Sequence, residues 1–240
     1  MKLILCSSFN NSKKNDNNES YAVKLPISFL DIIKENVLKY KKVVFVANNP
    51  DTLNINDKYG NLLFESLKLS RLNFENYIIL DSRNKSEAKE IIENADLLFL
   101  SGGSIECQLS FFKEIKLDKI LNNFSNLIVA GSAGAMNLCK KTLKFSTTFE
   151  EIKNITEENS FLDGMGIYNK IFIPHFDGLK KEYIRGKNIN AYNELIKLSV
   201  SKEFIAVDNY SFIFDLVNYY GNVYMIKNQI VEKLYYDNIL

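Results

Sequence analysis

Apolar residues in this chain fall into short runs separated by stretches with helical spacing. Lys2–Ser7, Lys42–Ala47, Asn76–Leu80, Leu97–Leu100 and Leu127–Ala130 are each too short for a helix and read as buried strands. Between them, Ile27–Tyr40 sets Ile27, Leu30, Ile33, Val37 and Leu38 on one helical face. Asp57–Leu72, Ser86–Asn94 and Glu106–Phe124 read as further helices. Phe9–Ser20 is rich in Asn, Lys and Ser without a period, so it is expected to be an exposed loop. Asn48-Asn49-Pro50-Asp51 is a breaker cluster that closes the second strand.

Strands alternating with helices predict βαβ units and a parallel sheet. Runs of Ile, Val and Leu suit strands covered on both faces. The expected fold is therefore α/β, a doubly wound and mostly parallel sheet with helices on both faces. The last third differs. Lys170–Pro174 reads as a strand and the region about Asn190–Val200 as a helix. Phe204–Asp208, Tyr210–Leu216, Asn222–Ile226 and Ile230–Leu234 read as shorter, antiparallel strands, with Tyr220-Gly221-Asn222 as a hairpin turn. No repeat or linker interrupts the pattern, so one domain over residues 1–240 is expected.

Composition narrows the function classes. The 240 residues carry 30 basic and 29 acidic side chains, a net charge of +1. That balance gives no electrostatic case for binding nucleic acid or an anionic membrane. No apolar run approaches the ~18 residues of a membrane span. Leu3–Cys6 is shorter than a signal-peptide core of about 7–15 residues. Cys6, Cys107 and Cys139 are odd in number and lack C-x-x-C spacing, which suits a reducing cytoplasm and no thiolate metal site. A single histidine excludes a His-rich metal cluster. The expectation is a cytoplasmic protein without metal or cofactor.

Scarce residues mark the candidate chemistry. Four of only ten glycines sit in Gly102-Gly103 and Gly131-x-x-Gly134, and Pro174 precedes the sole histidine, His175. Asn126 to Leu138 runs from an apolar strand through Gly131-Ser132-Ala133-Gly134 into a helix. A nucleophilic serine forms in this context, on a strained turn whose neighbours two residues away must be small, here Ala130 and Gly134. The Ala133 amide is then placed to donate to a developing oxyanion. The plain alternative is a strand-to-helix turn with Ser132 as N-cap. A phosphate loop is disfavoured because no lysine follows at the required offset.

A serine hydroxyl needs a base, and if that base is a histidine it is His175. Ile171-Phe172-Ile173-Pro174-His175 ends a strand, so His175 and Ser132 are both expected at carboxyl ends of strands, where ligands bind in such sheets. An acid should orient the imidazole. Glu150 and Glu151 lie between the two in chain order, and Asp177 is a further contender. Gly102-Gly103 offers a second oxyanion donor or a simple strand-ending turn. Glu106 and Gln108 just beyond could touch substrate or merely begin a helix.

Taken together, Ser132-Ala133-Gly134-Ala135, Ser101-Gly102-Gly103-Ser104 and Pro174-His175-Phe176 resemble the S51 serine peptidases, the dipeptidase E group, over roughly Lys2 to Phe214. That group shares its fold with class I glutamine amidotransferases. The resemblance implies Ser132 as nucleophile, His175 as base, and N–H groups of Gly103 and Ala133 as oxyanion hole. It implies Glu150 as the triad acid, with Glu151 close behind. Ser104, Gln108 and Arg185 are the candidate substrate contacts. The implied substrate is a small peptide. Aspartyl dipeptidases carry Gly-Glu-Thr-Arg after the histidine. Here the region reads Gly178-Leu179-Lys180-Lys181-Glu182-Tyr183-Ile184-Arg185; the motif behind Asp-X specificity is absent, and Arg185, Lys180 or Lys181 is left as the candidate for binding a carboxylate. The alternatives are a cysteine hydrolase using Cys107, and a catalytically inactive or non-peptidase protein that binds a small ligand on the same fold. The aromatic C-terminal strands leave a homodimer open.

Overall fold

The apolar runs become strands for the reason the pattern gives: they have no polar face to show to water. A computed structural model describes residues 1–144, 161–179 and 191–234. The chain divides into two units, Met1–Ile4 with Ser8–Gly134, and Leu5–Ser7 with Ala135–Leu240.

In chain order the first unit contains β1 (Lys2–Cys6, whose last two residues count with the second unit), β2 (Ser12–Lys14), β3 (Ser20–Ala22), α1 (Ile27–Asn36), β4 (Lys42–Val46) and α2 (Leu53–Leu69). It continues with β5 (Asn76–Leu80), α3 (Ala88–Glu93), β6 (Leu97–Leu100), α4 (Ile105–Glu114), α5 (Leu117–Leu121) and β7 (Leu127–Gly131). The strands lie in the order β1-β7-β6-β4-β5. Pairing is parallel between β4 and β5, β4 and β6, and β6 and β7. Every residue of β6 is fully buried, which a parallel strand covered on both faces requires. At the edge, β5 keeps Tyr77, Ile78 and Ile79 only half-buried.

Local expectations differ at several places. The helix expected over Ile27–Tyr40 ends at Asn36, and Ile27 and Leu38 are exposed. The stretch expected as a loop, Phe9–Ser20, carries the β2–β3 hairpin, and Phe9 itself is buried. Its ring packs edge-on to Phe99 with centroids 5.2 Å apart. The helix expected over Glu106–Phe124 breaks in two, because Lys116 takes a left-handed φ of 54° between α4 and α5. The helix expected from Asp57 starts earlier, at Leu53, directly after the breaker cluster.

The second unit contains α6 (Ala133–Leu138, which begins in the first unit), β8 (Lys141–Leu143), β9 (Phe161–Asp163), β10 (Ile171–Ile173), α7 (Ala191–Leu198) and β11 (Phe204–Val207). After these come β12 (Phe212–Phe214), β13 (Asn218–Tyr220), β14 (Val223–Lys227) and β15 (Ile230–Leu234). A sheet runs β10-β11-β14-β15, parallel in its first pair and antiparallel thereafter. Its core holds Ile171, Ile173, Phe176, Leu195, Phe204, Ala206 and Ile226. Tyr220-Gly221-Asn222 is not a hairpin: β13 pairs with β12, whereas β14 pairs with β11 and β15. The hairpins turn instead at Asp215-Leu216 and Asn228-Gln229, four non-glycine residues all at positive φ. Two consecutive left-handed residues suit the twist of antiparallel strands.

Candidate active site

Strand register decides which residues can meet. In the first unit Val46 is level with Leu80 and with Leu100, and Leu100 is level with Ala130. Four strands therefore end in one row. Asn48, Asp81, Ser101-Gly102-Gly103 and Gly131-Ser132 all follow at the carboxyl edge, where ligands bind in parallel sheets.

Ser132 sits half-buried between β7 and α6 at a φ of 48°, a left-handed conformation that costs a non-glycine residue about 1–2 kcal/mol. Its surroundings accept only small groups. A Cβ added at Gly102 would lie 3.0 Å from the Ser132 Cβ and 3.7 Å from its Oγ. One added at Gly134 would lie 2.6 Å from the Leu100 carbonyl oxygen and 2.8 Å from that of Ser101. The two glycine segments singled out by their scarcity are thus the two walls of one turn.

Gly103 is in a glycine-only conformation, φ 138°, and a Cβ there would meet the Asn48 side chain at 2.6 Å. The Asn48 amide fastens this segment from the next strand end. Its Nδ2 donates to the Ser104 carbonyl at 2.8 Å, and its Oδ1 accepts from the Ser104 N–H at 2.9 Å. In the sequence Asn48 stands out as part of a breaker cluster and of a polar loop, not as a fastener of the glycine turn. Ser104 is exposed and caps α4, its hydroxyl accepting from the Cys107 N–H at 3.3 Å. Gln108, expected beside the substrate, is completely buried. Its Nε2 donates to the Ser101 carbonyl at 2.6 Å, which supports the glycine turn from within. Glu106 is exposed.

A second anchor on this edge also escaped the sequence reading. Asp81 is fully buried and holds Arg83 through Nε at 2.9 Å and an NH2 contact at 2.6 Å. With Asp57 on its other side, the guanidinium is held further toward its charged form. The Asn56 amide also donates to Asp81, at 3.3 Å. Charge and hydrogen bonds on a buried carboxylate offset a desolvation cost that an unpaired one would carry in full.

His175 belongs to the second unit, just past β10, at a φ of 55°. Its backbone N–H donates to the Ser7 hydroxyl at 3.0 Å. That hydroxyl also lies within hydrogen-bond distance of the Val207 and Asp208 carbonyls, at 3.1 and 3.2 Å. The buried Ser7 side chain therefore ties the end of β10 to the end of β11. Imidazole Nδ1 lies 2.7 Å from the Asn209 Oδ1. The Asn209 Nδ2 donates to both Asp177 oxygens, at 3.0 and 3.1 Å, and its backbone N–H donates to one of them at 3.0 Å. Asp177 was a contender for the triad acid; Asn209 was not foreseen. Glu150, Glu151, Lys180, Lys181 and Arg185 lie outside the described residues.

The matching segments now carry an assignment. The family model of peptidase family S51 matches residues 3–214. The chain belongs to peptidase family S51. It is accordingly a serine-type peptidase, with a mostly parallel central sheet, helices and antiparallel strands toward the C-terminus. Among solved structures, the S51 chain is similar to a 1.5 Å crystal structure titled "Putative Peptidase E Protein", from Listeria monocytogenes EGD-e. The TM-score is 0.53 at 17% identity, covering 98% of both chains, which is a likeness of fold. No curated protein matches the S51 chain. Among the described residues, no helix is long and apolar enough to cross a membrane, and no three His, Cys, Asp or Glu side chains group so as to hold a metal ion.

Proposed function

We propose that this S51 chain acts as one catalytic domain that hydrolyses small peptides in the cytoplasm through an acyl-enzyme on Ser132. The observation that carries the reading is the strained turn at Ser132, walled by Gly102 and Gly134 at the carboxyl edge of the sheet. Strain of this kind persists only where the surroundings hold it, and it clusters at reacting residues. In the proposed reaction Ser132 Oγ attacks the peptide carbonyl while His175 takes its proton. The N–H groups of Gly103 and Ala133 receive the oxyanion. His175 then passes the proton to the leaving amine, and water releases the acyl group by the reverse sequence. Ser104 and Arg185 are proposed to contact the substrate; the family resemblance implies Glu150 as the acid, but the Nδ1 that such an acid would orient already has Asn209 Oδ1 at 2.7 Å. Gln108 supports the turn and is left out of the substrate contacts.

A fluorophosphonate probe tests this directly. Ser132 should be labelled in the wild type, and Ser132→Ala and His175→Ala should each abolish labelling. A dipeptide library assayed with wild type and Ser132→Ala then gives the substrate class. Labelling that persists in Ser132→Ala would overturn the proposal.

The cysteine reading has its own check. Cys139 is buried, and burial pushes its thiol up to about 12; Cys6 is likewise buried and raised. Thiols react as thiolates, so both should resist alkylation at neutral pH. Cys107 is exposed. Iodoacetamide is expected to modify Cys107 alone in the native protein, read by peptide mass spectrometry, with turnover retained. Loss of turnover on modification of Cys107 would favour the cysteine hydrolase instead.

A further inference from the structure

We infer that Asn209 and Asp177 act as a positioning pair that fixes which ring nitrogen of His175 carries the proton. The inference rests on His175 serving as the base in the proposed hydrolysis. A carboxylate offers only acceptors, so the Asn209 group that lies 3.0 and 3.1 Å from the two Asp177 oxygens must be the NH2. An amide's two ends are otherwise interchangeable in fit, and here the carboxylate removes the ambiguity. The Asn209 Oδ1 consequently faces the imidazole at 2.7 Å. A carbonyl oxygen can only accept, so the proton sits on His175 Nδ1, and in the neutral ring Nε2 is the basic nitrogen.

The backbone makes this arrangement stiff. The Asn209 N–H also donates to Asp177 Oδ1 at 3.0 Å, which pins the asparagine at both main chain and side chain. Ser7 clamps the His175 main chain against the carbonyls that precede Asn209. The imidazole, its amide partner and the carboxylate behind them are thus held from two strand ends, after β10 and after β11. In a serine triad a carboxylate normally fills the place of Asn209, orienting the ring and stabilising the imidazolium. Here an amide sits next to the ring and the carboxylate stands one residue further back. Orientation is supplied in full, while direct charge stabilisation of the imidazolium is weaker.

The sole histidine makes the test simple. With 15N-labelled histidine, one imidazole contributes to the spectrum, and its two nitrogen shifts report the tautomer. The wild-type neutral ring should carry its proton on Nδ1. Asn209→Ala and Asp177→Ala should each move it toward the Nε2–H form, and Asn209→Asp, which still offers an acceptor to Nδ1, should keep Nδ1–H. Asn209→Ala should lower kcat on the order of 10²-fold with KM little changed. Glu150→Gln should leave the tautomer as it is. A wild-type ring protonated on Nε2 overturns the inference without any variant, as does Asn209→Ala with tautomer and kcat both unchanged. A shifted tautomer with unchanged kcat overturns the catalytic part. If no peptide is turned over at all, the hydrolase reading fails, and the tautomer result still stands on its own.

Discussion

Alanine at position 132 is expected to lower turnover of an accepted peptide by roughly 10⁴- to 10⁶-fold, the range seen when a member of a serine triad is removed. In the proposed mechanism the hydroxyl oxygen forms the acyl bond, and alanine offers no atom in its place. His175→Ala should cost a similar factor, because an unactivated serine is a weak nucleophile. The informative quantity is the double variant. If Ser132 and His175 act on one proton, removing both should cost little more than removing either, since the second loss has nothing left to disable. Residues working independently would instead multiply their effects. Steady-state kinetics on the best dipeptide from the library, with melting temperatures showing that all three variants fold, gives the answer. Multiplicative losses would separate the two residues mechanistically.

Gly134→Ala is expected to be the most damaging single methyl group on the carboxyl edge of the sheet. The added carbon would fall 2.6 Å from the Leu100 carbonyl oxygen and 2.8 Å from that of Ser101. Both belong to the backbone at the end of β6, a strand buried along its whole length, so neither can step aside without disturbing the sheet. Overpacking typically costs 1–3 kcal/mol, and a clash against main chain should reach the top of that range, about 3 kcal/mol. That is a large part of the 5–15 kcal/mol by which a domain is usually stable. Urea denaturation should show the midpoint moving down with the slope little changed. Gly178→Ala is the comparison, because among the described residues nothing lies within 4 Å of the Cβ it would add. Equal stability for the two variants would show that the turn yields where the geometry says it should not.

What could be read from the sequence depended on the range of the interaction. The parallel strands announced themselves because burial on both faces leaves only apolar residues, as in Leu97–Leu100. The Ser132 turn was legible because scarce glycines marked both of its walls. Interactions without a local signature were not legible. Lys116 breaks a helix in a left-handed conformation that no glycine advertises. The Asn228-Gln229 turn likewise lacks glycine, whereas Gly221, which looks like a turn signal, joins strands that do not pair with each other. Asn209 reaches His175 across 34 positions, and Ser7 reaches it across 168. An asparagine or serine has so many ordinary uses that neither stood out. Gln108 was read by its nearness to a glycine turn, but helical geometry turns it inward beneath that turn.

The fastening of Gly103 by Asn48 also bears on how this protein can vary over evolutionary time. The asparagine fills the space a side chain at 103 would need, and it makes two hydrogen bonds that a shorter residue could not. The two positions, 55 residues apart, are therefore locked into a single choice. A lineage that put bulk at 103 would have to surrender the amide at 48 and also re-form a backbone that only glycine adopts, so relatives that have lost Gly103 should have lost Asn48 as well.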